Sequence, residues 1–586
     1  MADRQSVDSN KKGLKIFLIS SAGVLVAALA IIAVLLLGNK TITEDRVVRV
    51  MEYGTVLQGV SVNGIDLSGM TTEEAGAATA DVETQLLTEA TFNLDVNGTV
   101  VTRTSTDFEL YTDYTDAIQK AVEYGHTGSF EDRLQAANEA RDSGMDIPVN
   151  VLYDEATLTS VLAALKTELD TEPINATATF MPWGYTLDAD GNAVPWEPDL
   201  KAMADAHSKG KEFEQPALVR LPDAEKPLAL RYQYWDNDEY VDGYIPRDWN
   251  IARFSYTPEV TGIVVNTQAI YDQIVSQVQS GSYSTITVPV EVTEPTVKLA
   301  DIKKSTMLVS SWSSSFGGSS HYNTSRNWNV SRMSSFISGA VILPGEQWTI
   351  NTVAGPRNRT TAKSIGWKEA AGIENGGYTP QVGGGVCQLG STTYNAALRA
   401  GLTIVSQTHH TIPSDYIPLG LDATLSTPKP DLVLKNDNTM PVYIVSYVNP
   451  KDKNVTVEVY GQQPVDPTYG EVIYDYTSNN KGSRYGTPTP KTITSEVPIT
   501  APDGTVVDAS RPQYEYAKSR KGTSIQTYKH IYSLDGKELC DPIPFEKHSY
   551  PIIHGTVYVY SPPVVATPTP IPSEPSPSPS SSGGAG

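Results

Sequence analysis

Residues 383 to 401 read "GGGVCQLGSTTYNAALRAG", and no other stretch of the chain restricts its backbone so tightly. Three successive glycines permit a tight turn and a close approach of backbone to a neighbour or a ligand. The next residues have the composition of a helix running from about Cys387 to Ala400, with Gly401 as its C-terminal stop. Cys387 therefore stands at a helix N-terminus. There the orphan N–H groups and the helix dipole favour a thiolate and lower the thiol pKa. The same N–H groups can hold an oxyanion, with Gln388 or Gln381 as a side-chain donor.

At 586 residues the chain is too long for one core, so several domains are expected. Its net charge of -23 argues against a nucleic-acid partner, which needs clustered Lys and Arg. Residues 16–38, "IFLISSAGVLVAALAIIAVLLLG", carry no charge and are long enough as a helix to cross a hydrocarbon core of about 30 Å. Arg4, Lys11, Lys12 and Lys15 precede them and favour a cytoplasmic N-terminus. The "ALA" at 28–30 resembles a signal-peptide cleavage site, but the apolar run continues past it, so a retained transmembrane helix is expected. That reading makes the protein a single-pass one of the cell membrane, with everything after Lys40 extracytoplasmic. Two cysteines, Cys387 and Cys540, are too few for a disulfide framework in a chain of this size.

Residues 39–182 read as a first α+β module. Thr71 and Glu74 fit a capping box, and Asn97-Gly98 fits a hairpin turn. A repeat then links two stretches. In 149–169 Asp154 caps a helix whose apolar face is Leu158, Leu162 and Leu165. In 262–281 Asn266 caps, and Ile270 and Ile274 take the matching positions. The repeat predicts a second α+β module over 183–300, with an insertion at 183–250 rich in Trp, Tyr and acidic residues. Within it "DADGN" at 188–192 lacks the glycine position and closing Glu of a calcium loop and reads as a hairpin turn. Residues 461–562 are rich in β-formers, with turns at Asp503-Gly504 and Asp535-Gly536, and predict a small β domain. The Pro- and Ser-rich tail at 563–586 cannot build a core and is expected to be disordered.

The motifs "SGMTTEEA" and "PINATATF", with the two helices above, resemble the YoaR-like peptidoglycan-binding domain of bacterial surface proteins. The likeness implies binding to peptidoglycan or its precursors. Residues 301–460 carry a denser pattern. It comprises Gly339, Pro344-Gly345-Glu346, Gly355-Pro356-Arg357, Gly383 to Gln388, Tyr394 to Ala397, His410, Tyr416-Ile417-Pro418, Gly420 to Thr424 and Pro441. These residues resemble the VanW family, associated with Gram-positive cell walls and with some glycopeptide-resistance gene clusters. The resemblance names an α+β domain and carries no established chemistry with it.

A nucleophilic cysteine needs a base. His409 and His410 follow at strand-loop distance, and the VanW pattern falls on His410. Asp422 or Asp415 can orient it. The order Cys, helix, His, Asp resembles the core of papain-like and transglutaminase-like enzymes, and implies acyl transfer or amide hydrolysis through a thioester. Three other readings stand beside it. Cys387 can be a small buried hydrophobe. It can pair with Cys540. Or it can join His409, His410 and an aspartate around a metal, although adjacent histidines on a strand point to opposite faces. No cofactor is expected. Arg357 can grip a carboxylate or pair with an acidic neighbour. Glu346 reads as a turn residue, Trp348 and Tyr394 as core, and Asn327 and Asn395 as partners of buried backbone.

The expected architecture is thus a transmembrane helix, two α+β repeat modules, an α+β VanW-like domain, a small β domain and a disordered tail. The expected function is an envelope protein that binds peptidoglycan. The alternatives are a cysteine-dependent amidase or acyltransferase, with Cys387, His410, Asp422 and Gln388 at its site, and a scaffold for another envelope protein.

Overall fold

The computed structural model describes residues 54–563, apart from 228–233, 237–238, 242–244, 317–323, 361 and 375–376. The fold is mixed α+β and multidomain. The chain divides into two compact units. One is formed by residues up to Ile174 together with Val260–Thr296, the other by Asn175–Glu259 and the chain from Val297 onward.

In the first unit local signals act as their chemistry dictates. Thr71 and Glu74 close a reciprocal capping box on the helix Thr72–Glu89. Strands Thr91–Val96 and Thr99–Thr104 pair antiparallel around Asn97 and Gly98, whose φ values of 50° and 86° suit a tight hairpin turn. Asp154 and Asn266 cap the helices Glu155–Leu169 and Thr267–Ser280 through their side chains. The repeat, however, does not give two modules. Leu158, Leu162 and Leu165 share one core with Ile270, Ile274 and Val278, above Phe92 and Leu94. The physical reason is that a single leucine stripe leaves each helix needing a partner, and the repeated copy supplies it.

The expected transmembrane helix and single-pass membrane placement are also corrected. Among the described residues no helix is long and apolar enough to cross a membrane. The helix Thr72–Glu89 shows why: it buries Ala75 and Thr79 on one side and carries Glu73, Glu74, Asp81 and Glu83 elsewhere. Residues 16–38, on which that expectation fell, and the tail from 564 lie outside the described residues.

The second unit is built on a six-stranded sheet. Its order is Glu239–Val241, Tyr234–Asp236, Met307–Ser315, Asn454–Gly461, Val442–Asn449, Ala340–Ile342. Met307–Ser315 is a serine-rich strand buried along nearly its whole length. Its small side chains let the helix Val386–Arg399 lie close, and hydroxyls bridge the two: Ser310 Oγ donates to the Ala396 carbonyl at 2.7 Å, and Ser314 Oγ lies 2.7 Å from Thr392 Oγ1. The aromatic insertion packs with this unit. Trp249 and Phe254 share a cluster with Leu308, Val445 and Tyr460. "DADGN" is a hairpin turn joining strands Tyr185–Leu187 and Ala193–Pro195.

The C-terminal strands do not stand apart. Val472, Tyr474, Tyr476 and Ile531 enter the same core as Leu389 and Tyr394. Arg399, at the end of the cysteine helix, pairs with Asp475 at 2.7 Å and donates to the Tyr476 carbonyl at 2.8 Å. Strand Gly522–Tyr532 is flanked by Ile473–Ser478 and by Ile543–Tyr550, both antiparallel to it.

Candidate active site

The glycine stretch fixes the thiol. Gly383 and Gly385 have φ of 78° and 101°, a region glycine enters without strain. Gly384 is required by space: a Cβ there would stand 2.3 Å from the Ala370 carbonyl oxygen. The helix that begins after it spans Val386–Arg399 with Gly385 as its N-cap, so Cys387 sits in the first turn.

The same helix fixes the loop beside it. Ser391 Oγ donates to the Ala423 carbonyl at 3.2 Å and accepts from the Ala423 N–H at 2.9 Å. Asn395 Nδ2 donates to the Leu421 carbonyl at 2.6 Å. Residues 421–425 are thereby clamped along the helix, and two groups on them reach the site. The Leu425 N–H donates to Cys387 Sγ at 3.3 Å. The carboxylate of Asp422, fully buried, faces the histidines.

One Asp422 oxygen accepts from the His410 backbone N–H at 2.6 Å and from its ring Nδ1 at 2.7 Å. The other accepts from His409 Nδ1 at 3.1 Å and from the Tyr550 hydroxyl at 2.6 Å. With His410 Nδ1 committed, its buried Nε2 makes no hydrogen bond among the described residues, and His410 interacts electrostatically with the Cys387 thiol beside it. His409 Nε2 lies 3.2 Å from Glu546 Oε1. Cys387, His410 and Asp422 thus come together at one site, with Asp422 holding the His410 ring.

The electrostatics favour opposite charges on Cys387 and His410. Burial pushes the Cys387 thiol up, but the His410 hydrogen bond and charge, the Leu425 N–H and the Arg357 charge together bring it below its ordinary value. Burial pushes His410 down, yet Asp422 and Cys387 raise it to about 10. Burial likewise opposes the charge on His409, which Asp422 and Glu546 raise to about 9. Asp422 is held far below the carboxylate range: burial works against it, and the two imidazoles outweigh burial. Both shifts favour the thiolate–imidazolium form of the pair.

The thiol opens on a cleft of about 690 Å³ lined also by Arg326, Arg357, Tyr378, Gln381 and Tyr416. Arg357 Nη2 donates to Asn351 Oδ1 at 2.6 Å rather than to an acid. Gln388 is turned away: its amide nitrogen donates to Ser314 Oγ and the Ser315 carbonyl at 2.9 and 3.0 Å, and its oxygen accepts from Arg326. Asp415 is exposed at the cleft rim, so Asp422 is the residue that meets the histidine. Cys387 and Cys540 are both free. Among the described residues no group of three His, Cys, Asp or Glu is arranged to hold a metal ion, so the cysteine-histidine-aspartate metal reading does not assemble. Glu346 accepts from the Leu343 N–H at 2.9 Å in its turn, and Trp348 and Tyr394 are core residues. Glu546, His548 and Tyr550 went unread in the sequence, although their alternate spacing puts all three on one face of a strand.

The fold that carries this arrangement is mixed α+β. Residues 325–460 match the family described as "VanW like protein", and residues 101–213 match the family described as "Putative peptidoglycan binding domain". The chain thus carries one stretch that matches the VanW-like family and another that matches the second family. Over 122 residues, 21% of the chain, it is 40% identical to "Uncharacterized protein YoaR" of Bacillus subtilis. Over 154 residues, 25% of the chain, it is 26% identical to "Vancomycin B-type resistance protein VanW" of Enterococcus faecalis. These alignments span 39% and 54% of the two relatives' lengths. No solved structure matches.

Proposed function

We propose that the second unit is a cysteine acyltransferase or amidase acting on peptidoglycan stem peptides. The observation that carries the reading is the Asp422-held imidazole of His410, its Nε2 unpartnered, coupled electrostatically to the Cys387 thiol beside a cleft. The Cys387 thiolate adds to a substrate amide carbonyl, and the developing oxyanion lies at the helix N-terminus. His410, as imidazolium, gives its Nε2 proton to the departing amine as the C–N bond breaks, leaving a thioester and a neutral imidazole. A second nucleophile, water or an amine, passes its proton to Nε2 and attacks the thioester, and the thiolate leaves. Water makes the reaction a hydrolysis and an amine makes it a cross-link. Asp422 stays ionised and holds the imidazole in orientation. The peptidoglycan assignment is supported by the matched domain at 101–213. Incubating the protein with soluble disaccharide-peptide fragments should give an adduct on Cys387 with the mass of an acylating peptide, together with released amine. An unmodified Cys387 and no released amine across stem-peptide types would refute the reaction.

A second reading, non-covalent wall binding, is favoured by a separate cleft of about 700 Å³ in the same unit. Trp183, Trp196, Phe213, Arg220 and the buried Arg253 line it, and it shares no lining residue with the thiol cleft. Aromatic faces beside guanidinium and carboxylate groups suit a sugar ring, which presents both apolar C–H and hydroxyl surface. Co-sedimentation with purified sacculi is expected to survive Cys387→Ala and to weaken several-fold in Trp183→Ala. Protein left wholly in the supernatant would remove the binding reading.

A further inference from the structure

We infer that the relay is completed from outside the family domain: Tyr550 and Glu546, on the C-terminal strand Ile543–Tyr550, are positioning residues for Asp422 and His410. This rests on the acyl-transfer reading of the thiol cleft and extends it. The family match ends at residue 460, yet two of the groups that organise the histidines come from about ninety residues further on.

Strand alternation is the first argument. Glu546, His548 and Tyr550 occur at every second residue and so project from one face of the strand. All three meet the relay. The Tyr550 hydroxyl donates to Asp422 at 2.6 Å and accepts from the Gly420 N–H at 2.9 Å, which fixes its rotamer. The ring is 1% exposed, and the Tyr485 hydroxyl donates to the Tyr550 carbonyl at 3.0 Å, so strand and side chain are held together. Glu546 takes His409 Nε2, and the His548 ring lies 3.9 Å from that of His409.

The second argument is the count of bonds on Asp422. A carboxylate that must orient one imidazole has four acceptor positions, and any left empty lets it rotate. Here the oxygen facing His410 receives two donors, and the other receives Tyr550 and His409. Tyr550 is a dependable donor, because burial and the Asp422 charge keep its hydroxyl protonated. Asp422 and Glu546 together favour the imidazolium form of His409, and in that form both its nitrogens donate. Once neutral, it can turn a lone pair toward Asp422. The groups facing His409 are Asp422, Glu546, His548, Gln407 and the adjacent His410.

The strand is not a detachable neighbour. Gly420 packs so closely on Ile525 of the adjoining strand that a Cβ would stand 2.6 Å from it. The loop carrying Asp422 and the C-terminal sheet are therefore one packed body.

The test uses the full-length chain. Wild type, Tyr550→Phe, Glu546→Gln and, on the opposite strand face, Lys547→Ala are alkylated with iodoacetamide from pH 5 to 10. Modification is followed on the Cys387 peptide. Lys547→Ala should match wild type, with fast reaction at neutral pH. Tyr550→Phe should react roughly 10–100-fold more slowly throughout, the span of a hydrogen bond to a charged group. Glu546→Gln, whose side chain is half-exposed and whose fold is not at stake, should match wild type below about pH 6.5 and fall away from it toward pH 9. A merely structural role would lower stability without that pH-dependent divergence. Folded Tyr550→Phe and Glu546→Gln chains that track wild type at every pH would overturn the inference and leave the reaction standing. A wild-type thiol that reacts slowly at neutral pH would overturn the reaction itself, and the inference with it.

Discussion

His410→Gln is expected to move the alkylation inflection of Cys387 above about 8.5, the ordinary thiol value, and to lower turnover on wall peptides by about 10²–10⁴-fold. Burial is the largest influence on this thiol and it opposes ionisation. The imidazolium is the largest influence on the other side, and Gln cannot replace its charge. There remain the Leu425 N–H at 3.3 Å and the more distant charge of Arg357, each a smaller influence than burial. Gln is close to His in size and can still donate to Asp422, so the fold survives and the loss reads on chemistry. Alkylation kinetics against pH and single-turnover rates on the same preparation check both halves. An unchanged inflection would mean that the helix N-terminus alone lowers the thiol pKa, and His410 would then have no claim to the proton.

How much could be read in the sequence depends on how far each signal had to reach. The cap at Thr71, the turn at Asn97-Gly98 and the caps at Asp154 and Asn266 each involve residues within four positions, and each stands as expected. The Cys387 helix was equally local, because glycines bound it at both ends. The meeting of Cys387, His410 and Asp422 was legible because all three lie within 36 residues, on a helix and on the irregular segments after the strand Thr403–Ser406. Gln388 misled: residues adjacent on a helix point about 100° apart, so a neighbour of the thiol need not share its face, and this one serves Arg326 and Ser314. The repeat at 149–169 and 262–281 was real as a pattern. It could not say whether two amphipathic faces would find separate cores or each other. Tyr550 lies 128 residues from Asp422, and no local spacing announces a contact of that separation. Its alternation with Glu546 and His548 was the available clue, since three polar residues on one strand face need something polar to meet.

Asp422→Asn is expected to abolish the relay and to destabilise the protein by about 3–5 kcal/mol, the cost of removing one partner from a buried charge pair. An amide keeps one acceptor oxygen and turns a donor toward the other pair of donors. Either the His410 backbone N–H and Nδ1, or His409 and Tyr550, then face an NH2 group. The pH dependence of stability separates this from a simple packing defect. His409 is raised from its unfolded value near 6.5 to about 9, so the stability it contributes is fully present below pH 6.5 and is lost as pH rises through 9. His410 is raised and Cys387 lowered as one pair. In the direction of those shifts, the proton that folding favours on the imidazole offsets the one it disfavours on the thiol. Their contributions to the slope cancel. Wild-type stability in that window should therefore fall by at most about 1.4 kcal/mol per pH unit, the slope of the single proton held on His409. In Asp422→Asn, His409 loses its principal partner and the slope should flatten. Asp422 itself is depressed, so its contribution is present above its unfolded value near 3.9 and disappears as pH falls below it, a second limb the variant should also lack. Denaturant unfolding of both chains at intervals from pH 3 to 9 measures all of this. A variant that runs parallel to wild type across the alkaline window would show that Asp422 does not hold the charge on His409, and the four-donor arrangement would lose its energetic meaning.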